Sequence, residues 1–199
     1  MAEKMNFDQW RWELRGLLME KLGRRDKAID AYMRAYAAAP GNQRLPHIIG
    51  FLYAEREDFV RAEAWLARVC EAAPANGEAW FNLGFVRDKA HRWQEAIDAF
   101  VRAVELVPNQ DRAWYGMGMA QAHLGNHAEA ARALEEAARL QPMNGHAWYA
   151  LGMAYQHLNQ PDQVKRAAEQ LAQFDPLRAK VFIRETERPD LHYLVAHLA

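Results

Sequence analysis

The chain has 199 residues, and a hydrophobic fraction of 51% with 11% aromatic residues excludes an intrinsically disordered protein. Its 25 basic and 26 acidic side chains leave a net charge of −1, which gives no general attraction to nucleic acid or to anionic membranes. The single cysteine, Cys70, excludes an internal disulfide framework and is typical of a reducing compartment.

The N-terminal segment contains no apolar core of the length found in signal peptides. No later stretch approaches the roughly 20 apolar residues that a membrane span needs. The sequence therefore predicts a soluble, cytoplasmic protein without a membrane span.

The sequence repeats with a period of 34 residues. Glycine recurs at positions 16, 50, 84, 118 and 152, and proline recurs at 40, 74, 108, 142 and 176. Alanine keeps the same step at 28, 62, 96 and 130, with Val164 in the fifth place. Tryptophan occupies positions 12, 80, 114 and 148, with Pro46 in the second place. Because four ladders share one period, the chain is an array of structural repeats.

Each repeat is predicted to form two helices joined by a short polar turn. In the third repeat, residues 77–90 and 93–107 each place apolar side chains at helical spacing. Gly23 and Gly125 supply flexible backbone for the turn in two repeats. Each ladder proline ends a second helix, and asparagines that can cap the next helix follow two residues later: Asn42, Asn76 and Asn144.

Beyond Pro176, residues 177–188 are predicted to form a capping helix. Pro189 ends this helix, and residues 189–199 form an amphipathic tail. The tail has one apolar stripe at helical spacing, made of Leu191, Leu194, Val195 and Leu198.

The period and its residues resemble the tetratricopeptide repeat (TPR) family. The third repeat matches the family pattern best, through Trp80, Leu83, Gly84, Ala96, Phe100, Ala103 and Pro108. Arg15 and Pro46 depart from the pattern in the first two repeats, and the fifth repeat drifts after Tyr155. The resemblance implies an all-α, right-handed α-solenoid of five helix–turn–helix TPR repeats with a C-terminal capping helix. The implied boundaries are an N-terminal extension at 1–8, repeats at 9–42, 43–76, 77–110, 111–144 and 145–176, the capping helix at 177–188 and the tail at 189–199.

No motif for catalysis or cofactor binding is present. The chain has no glycine-rich phosphate loop and no HExxH, GxSxG or CxxC motif. Cys70 falls in a second helix, where we expect a buried structural thiol. We therefore predict neither an enzyme nor a cofactor.

The eight histidines raise the possibility of a metal site. His123 and His127 are four residues apart, but Gly125 separates them at a predicted turn, so they need not share a face. His123 and His157 occupy equivalent positions in neighbouring repeats and could line one rim. Without a nearby cysteine or carboxylate cluster, we expect solvated or groove-lining histidines and no metal.

On the first helix of each repeat, two positions outside the face that packs against the second helix carry mostly apolar residues. Exposure to solvent would favour polar residues there. The resemblance implies that these positions face a concave groove. The candidate peptide-binding residues are Leu17, His47, Phe51, Phe81, Phe85, Tyr115, Met119, Tyr149 and Met153 at these positions, and Asn82 at a neighbouring one. Such stripes would form a larger apolar patch than monomers usually expose. Three interpretations stay open: an open groove, a groove closed by its own curvature, and a groove covered by the apolar tail of the same or a neighbouring chain.

Some members of the resembled family hold acidic C-termini of heat-shock chaperones with a clamp of lysines, asparagines and an arginine. Asn82 and Arg112 could fill two clamp positions, but His47, Phe51 and Gly116 occupy the others and cannot hold a carboxylate. The sequence therefore favours an apolar ligand over an acidic one.

These features predict a non-catalytic protein-binding module, which would act as an adaptor, an assembly scaffold or an escort chaperone. Its partner would be a protein or peptide with apolar side chains. The alternative is a self-assembling scaffold that forms homo-oligomers through residues 189–199. The recognition part of an enzyme is a distant third, because only about 20 residues follow the last repeat and leave no room for a catalytic domain.

Overall fold

A computed structural model of the chain describes residues 7–198, and within this range it contains helices and turns but no strand. The predicted all-α repeat fold is therefore confirmed. The chain divides into two compact units, the first ending at His91 and the second beginning at Arg92. Residues 1–6 of the expected N-terminal extension and residue 199 of the expected tail lie outside the described range.

In the described part of the first unit, each helix packs against the next one along the chain. The helices of this unit are α1 (Phe7–Lys21), α2 (Arg25–Ala38), α3 (Arg44–Ala54), α4 (Phe59–Ala72) and α5 (Gly77–Lys89). The last two residues of the expected extension, 7 and 8, already belong to α1.

Within the second unit, consecutive helices from α6 onward also pack against each other. Its helices are α6 (Trp93–Leu106), α7 (Asp111–His123), α8 (His127–Leu140), α9 (Gly145–His157), α10 (Pro161–Phe174) and α11 (Pro176–Glu185). A 3₁₀ segment, Pro189–Leu198, follows α11. The observed α11 begins one residue before the predicted capping helix and ends three residues earlier.

The turn inside each repeat places one residue in the left-handed backbone region. Gly23 and Gly125 have φ angles of +67° and +78°, as expected for glycine in this position. The equivalent residues of the other repeats, Glu57, His91 and Asn159, have φ angles between 54° and 59°. The turn geometry is therefore common to all five repeats, although glycine supplies it in only two of them.

The ladder glycines allow the two helices of a repeat to approach closely. A Cβ atom on Gly118 would lie 2.6 Å from Cγ of Leu134 and 3.2 Å from the carbonyl oxygen of Ala130. A Cβ atom on Gly50 would lie 2.8 Å from Cγ of Leu66. A larger residue at either position would force the two helices apart.

The ladder prolines and tryptophans are joined by a recurring hydrogen bond. The indole Nε1 donates to the carbonyl oxygen of the proline six residues earlier, at 2.8–2.9 Å, in three repeats. The pairs are Trp80 with Pro74, Trp114 with Pro108 and Trp148 with Pro142. Each bond ties the start of a first helix to the proline that follows the preceding helix.

The predicted caps are present at the starts of two first helices. Asn76 Oδ1 accepts a hydrogen bond from the backbone N–H of Ala79 at 3.2 Å, and Asn144 Oδ1 accepts one from His146 at 3.0 Å. Asn42 makes the same kind of bond to Arg44, although Gln43 is the residue that directly precedes α3.

The C-terminal 3₁₀ segment packs against α10 and α11 of its own unit. Leu191 is only 1% exposed, Val195 is buried, and Leu194 and Leu198 are half-buried. Nζ of Lys180 donates to the carbonyl oxygen of Leu198 at 3.1 Å. The apolar stripe predicted from the sequence therefore packs against helices of the second unit.

Candidate functional site

The ten candidate peptide-binding residues lie on the first helices of the repeats. Six belong to the first unit: Leu17 on α1, His47 and Phe51 on α3, and Phe81, Asn82 and Phe85 on α5. Four belong to the second unit: Tyr115 and Met119 on α7, and Tyr149 and Met153 on α9.

Three of the first-unit residues expose large apolar side chains. Phe51 is 55% exposed, Phe85 is 44% exposed, and Leu17 is similarly exposed. Phe81 differs, because only 8% of it is exposed and its ring belongs to the core. Phe81 therefore contributes little surface to a ligand.

Polar contacts surround the exposed rings of α3 and α5. Nδ2 of Asn82 lies 3.0 Å from Nε2 of His47, so one amide N–H already has a partner. Nζ of Lys89 lies 5.4 Å from the ring centroid of Phe85, which is within cation–π distance. A partner that covered Phe85 would meet this ammonium group over the ring.

The four second-unit residues line one cavity of about 360 Å³. Tyr115 and Met119 come from α7, and Tyr149 and Met153 come from the equivalent positions of α9. No residue of the 3₁₀ segment lies among the described residues that line this cavity. The described part of the tail, residues 189–198, therefore does not line it.

Contacts with α11 hold the Tyr149 side chain in place. Its hydroxyl donates a hydrogen bond to Oε2 of Glu185, and its ring meets Phe182 edge-on with centroids 5.8 Å apart. The hydrogen bond to Glu185 is the main reason that the pKa of Tyr149 is raised. The phenol therefore stays neutral, and its ring is held against Phe182 while the residue lines the cavity.

Histidines form the rim of the same cavity: His123, His127, His146 and His157. The rings of His127 and His157 stack with centroids 4.1 Å apart and planes 8° apart. The ring of His123 stacks on Trp93 at 5.1 Å. Burial, and secondly the proximity of His157, lower the pKa of His127.

Arg178 completes the rim and was not anticipated from the sequence. Its Nε donates to Oδ2 of Asp175 at 2.9 Å, and its Nη2 lies 3.3 Å from Nε2 of His146. The hydrogen bond from Arg178 is the main cause of the lowered pKa of Asp175. Arg178 lies on α11, outside the five repeats, so the periodic pattern assigned no role to it.

The described residues do not support a metal site, a reactive thiol or a membrane-spanning helix. Within them no group of three or more histidine, cysteine, aspartate or glutamate side chains is arranged to hold a metal ion. Cys70 is buried, as predicted, and burial raises the pKa of its thiol to about 11. No helix in residues 7–198 combines the length and the apolar character that crossing a bilayer requires.

A second apolar surface, on α1, was missed by sequence reasoning. Its exposed side chains, besides the predicted Leu17, are Phe7, Trp10, Leu14 and Leu18 on the helix and Leu22 just after it. Leu18 stands 34 residues before Leu52, which is buried in the equivalent place on α3. α3 packs against α2, whereas no described helix precedes α1. The spacing of these residues was visible in the sequence, but their exposure depends on what lies beside the helix.

Comparison with known proteins supports the repeat assignment. A tetratricopeptide repeat family model matches residues 81–138 and 124–175, and a second one matches residues 11–42. No curated protein sequence matches the chain.

Solved structures of repeat proteins are similar over most of the chain. A crystal structure of MamA is 25% identical, with a TM-score of 0.78, and the alignment covers 83% of this chain and 96% of that one. MamA from Desulfovibrio magneticus RS-1 is 19% identical, with a TM-score of 0.76 and coverage of 91% and 98%. YrrB, described as a TPR protein with an unusual peptide-binding site, is 21% identical, with a TM-score of 0.74 and coverage of 89% and 92%. Together with the helix pairs and their ladder residues, these matches establish that the chain belongs to the tetratricopeptide repeat family.

Proposed function

We propose that this chain is a non-catalytic adaptor or assembly scaffold that binds an apolar peptide segment or an amphipathic helix on its first helices. The observation that carries the proposal is the open cavity of about 360 Å³ between Tyr115, Met119, Tyr149 and Met153. Its size and mixed aromatic and thioether lining suit a peptide side chain. The exposed rings of Phe51 and Phe85 offer a comparable surface in the first unit.

Family membership supports a protein-interaction module in general, and the description of YrrB as a peptide binder agrees with that class. Tyrosine and methionine are well suited to partner surfaces, because tyrosine offers a large aromatic ring and methionine adapts to different shapes. Burying one leucine or phenylalanine side chain of a partner would contribute about 1.5–3 kcal/mol. Association itself costs about 4–15 kcal/mol, so several such anchors together with further contacts along the first helices would be needed.

The arrangement of polar groups favours binding over catalysis. The buried Cys70 thiol has a raised pKa, so it is a poor nucleophile. The phenol of Tyr149 is held by Glu185 and is directed into a packing contact with Phe182. An enzyme would need a nucleophile, a base and an oxyanion site that converge, and the described lining residues do not supply this combination.

The test is a pull-down from native extract, read by mass spectrometry, with two groove variants as additional baits. Phe85→Glu and Met119→Glu each place a carboxylate in the proposed contact surface of one unit. We expect each variant to lose partners that the wild-type chain retains, because burial of an unpaired charge opposes binding. The matched control is Val60→Glu on the second helix α4, since Val60 is 81% exposed and lies outside the candidate surface.

Circular dichroism of all three variants should match the wild type, because none of the substituted residues belongs to the buried core. If the Val60→Glu bait and both groove baits retain the same proteins as the wild type, the first helices do not form the binding surface.

Self-association is a second candidate function, favoured by the apolar face of α1. Gly116 occupies the repeat position of Leu14, and a Cβ atom on Gly116 would lie 2.6 Å from the ring of Phe100 on the preceding helix α6. This repeat position therefore faces the second helix of the repeat before it. On α1 the same position carries an exposed leucine, which suits a helix supplied by another copy of the chain.

A further inference from the structure

A groove lies between α11 and the C-terminal 3₁₀ segment. Its volume is about 770 Å³, which falls within the range of small-molecule sites. Its large apolar lining residues are Leu177 and Val181 from α11, and Tyr193, Val195 and Leu198 from the 3₁₀ segment. Because no described residue of α9 or α10 lines it, the groove lies on the side of α11 that faces away from the repeats.

The apolar lining includes both buried and exposed side chains. Val195 is buried and Leu198 is half-buried, whereas Leu177 is 72% exposed and Tyr193 is 60% exposed. The groove therefore has an apolar floor that continues into apolar walls open to solvent. A ligand that covered these walls would remove apolar surface from water, which favours binding.

Two cations on one face of α11 supply the charge of the groove. Lys180 and Arg184 both line it and are four residues apart, so their side chains are neighbours on the helix. Lys180 uses one of its three N–H groups for the carbonyl oxygen of Leu198. The guanidinium of Arg184 makes no ion pair or hydrogen bond with the described residues. None of the described lining residues carries a carboxylate.

The carboxylates of the C-terminal cap do not neutralise this charge inside the groove. Glu185 accepts the hydroxyl hydrogen bond of Tyr149, and Asp190 accepts two hydrogen bonds of 2.8 Å from the guanidinium of Arg188. Glu187 lies in the left-handed turn after α11 and does not line the groove. The groove therefore combines an apolar surface with an excess of positive charge.

We propose that this groove binds a single amphiphile that has an unbranched hydrocarbon chain and an anionic head group, of the long-chain fatty acid class. The carboxylate of the ligand pairs with Lys180 and Arg184, and its chain lies against the apolar lining. The inference goes beyond the proposed function, because α11 and the 3₁₀ segment lie outside the first helices of the five repeats.

Two other occupants fit the groove less well. An extended peptide carries backbone donors and acceptors along its whole length, but five of the nine described lining side chains offer only carbon atoms. The α1 face of a second copy carries Arg11 and Lys21 in the same helical stripe as Leu14. It would therefore bring two cations to a groove that is already cationic.

The first experiment titrates the ¹⁵N-enriched full chain with dodecanoate, kept below its micellar concentration. Backbone amide signals are followed in a nitrogen–proton correlation spectrum, and we expect the largest changes within residues 177–198. Changes confined to α1 or to the cavity between α7 and α9, or no change at all, would overturn the inference. These outcomes leave the proposed function standing, because partner binding by the first helices is measured separately by the pull-down.

The second experiment compares ligands and variants by isothermal titration calorimetry. Dodecanoate should bind more tightly than octanoate, by up to about fourfold for each added methylene, and dodecyltrimethylammonium should not bind. The double variant Lys180→Gln, Arg184→Gln should bind dodecanoate roughly three- to tenfold more weakly, and Val181→Glu should lose binding. The matched control is Met143→Glu, since Met143 is 75% exposed in the loop before α9, and it should behave as the wild type.

Equal affinity for the anionic and the cationic amphiphile, or an unchanged affinity in the double variant, would overturn the assignment of the two cations. Cosedimentation with vesicles of phosphatidylcholine and phosphatidylglycerol separates a single ligand from a lipid surface. Binding to vesicles in place of binding to dodecanoate would identify a membrane-docking face and overturn the inference. Circular dichroism should be the same for all variants, because Lys180, Val181 and Arg184 are exposed.

Discussion

Single residues in the helix–helix turns carry local strain that can be measured. Glu57 adopts a φ angle of +59° at the position where Gly23 stands in the first repeat. A residue with a Cβ atom loses roughly 1–2 kcal/mol in the left-handed region, because its Cβ atom crowds the carbonyl oxygen. Glycine avoids this strain but loses about 0.5–1 kcal/mol through its greater freedom in the unfolded chain. The net effect of these two terms on the free energy of unfolding favours glycine slightly.

Exchanging these residues should therefore change stability in opposite directions. We expect Glu57→Gly to raise the free energy of unfolding by up to about 1 kcal/mol, and Gly23→Ala to lower it by a similar amount. A Cβ atom added to Gly23 would have no atom within 4 Å, so the second change tests backbone strain alone. Urea unfolding followed by circular dichroism gives both values, and two changes of the same sign would contradict this account.

Residue-scale interpretation of the sequence succeeded where the geometry of a repeat leaves few alternatives. Glycine was predicted to recur at positions 50 and 118 as part of the 34-residue ladder, and the contacts with Leu66 and Leu134 show why no larger side chain fits there. Phe81 was assigned to the ligand surface from its repeat position, yet it is buried. Repeat position fixes the direction of a side chain but not the shape of its neighbours, so burial at a half-exposed position cannot be derived from periodicity.

At the scale of one element, Asp175 shows how a helix outside the repeats is attached to them. Its carboxylate accepts a hydrogen bond of 3.1 Å from the backbone N–H of Arg178 and so caps the start of α11. A Cβ atom on Gly145, at the start of α9, would lie 2.8 Å from Oδ2 of the same carboxylate. The cap therefore lies against the first turn of the neighbouring helix, and Gly145 leaves the space for it.

We expect Asp175→Ala to lower the free energy of unfolding by about 1 kcal/mol near neutral pH, because the N-cap is lost. Asp175→Asn should lose less, since asparagine is also a good cap. The folded-state pKa of Asp175 lies below its unfolded value, so its charged form stabilises the fold above about pH 4, and this contribution disappears as the pH falls through the folded pKa.

Urea unfolding of the wild type and Asp175→Asn across that acidic range should therefore show their difference shrinking toward low pH. A difference that grows on acidification would mean that the carboxylate is not stabilised in the fold.

Element boundaries were less predictable than element order. α11 was expected from its apolar spacing, but it begins at Pro176, because proline fits the first turn of a helix where its missing N–H is not needed. It ends at Glu185, because the chain turns through Glu187 with a φ angle of +52°. Arg178 and its contact with His146 could not be anticipated, since both depend on how far α11 is displaced from the repeat register.

For the whole molecule, self-association through α1 is the most direct prediction. Leu14 and Leu18 are each about half exposed on the face whose equivalents are covered in later repeats. We expect sedimentation equilibrium to show an average mass that rises with concentration, and the double variant Leu14→Glu, Leu18→Glu to remain monomeric. A monomer at every concentration in the wild type would rule out this interface.

Deletion of residues 189–199 is a poor test of the same question. Leu191 and Val195 are buried against α10 and α11, so the deletion would expose part of the second unit's core. Any change of mass after that deletion would mix lost packing with lost association. The α1 substitutions avoid this, because both leucines are already exposed in the single chain.

The recurring bond between indole and proline makes three tryptophans natural spectroscopic reporters. Trp80, Trp114 and Trp148 each donate Nε1–H to a carbonyl oxygen at 2.8–2.9 Å, so their indole protons have nearly the same chemical environment in the folded chain. Each bond breaks only when its own inter-repeat junction opens. Indole signals in a nitrogen–proton correlation spectrum of the ¹⁵N-enriched chain, assigned by replacing one tryptophan at a time, would therefore follow the melting of each junction separately.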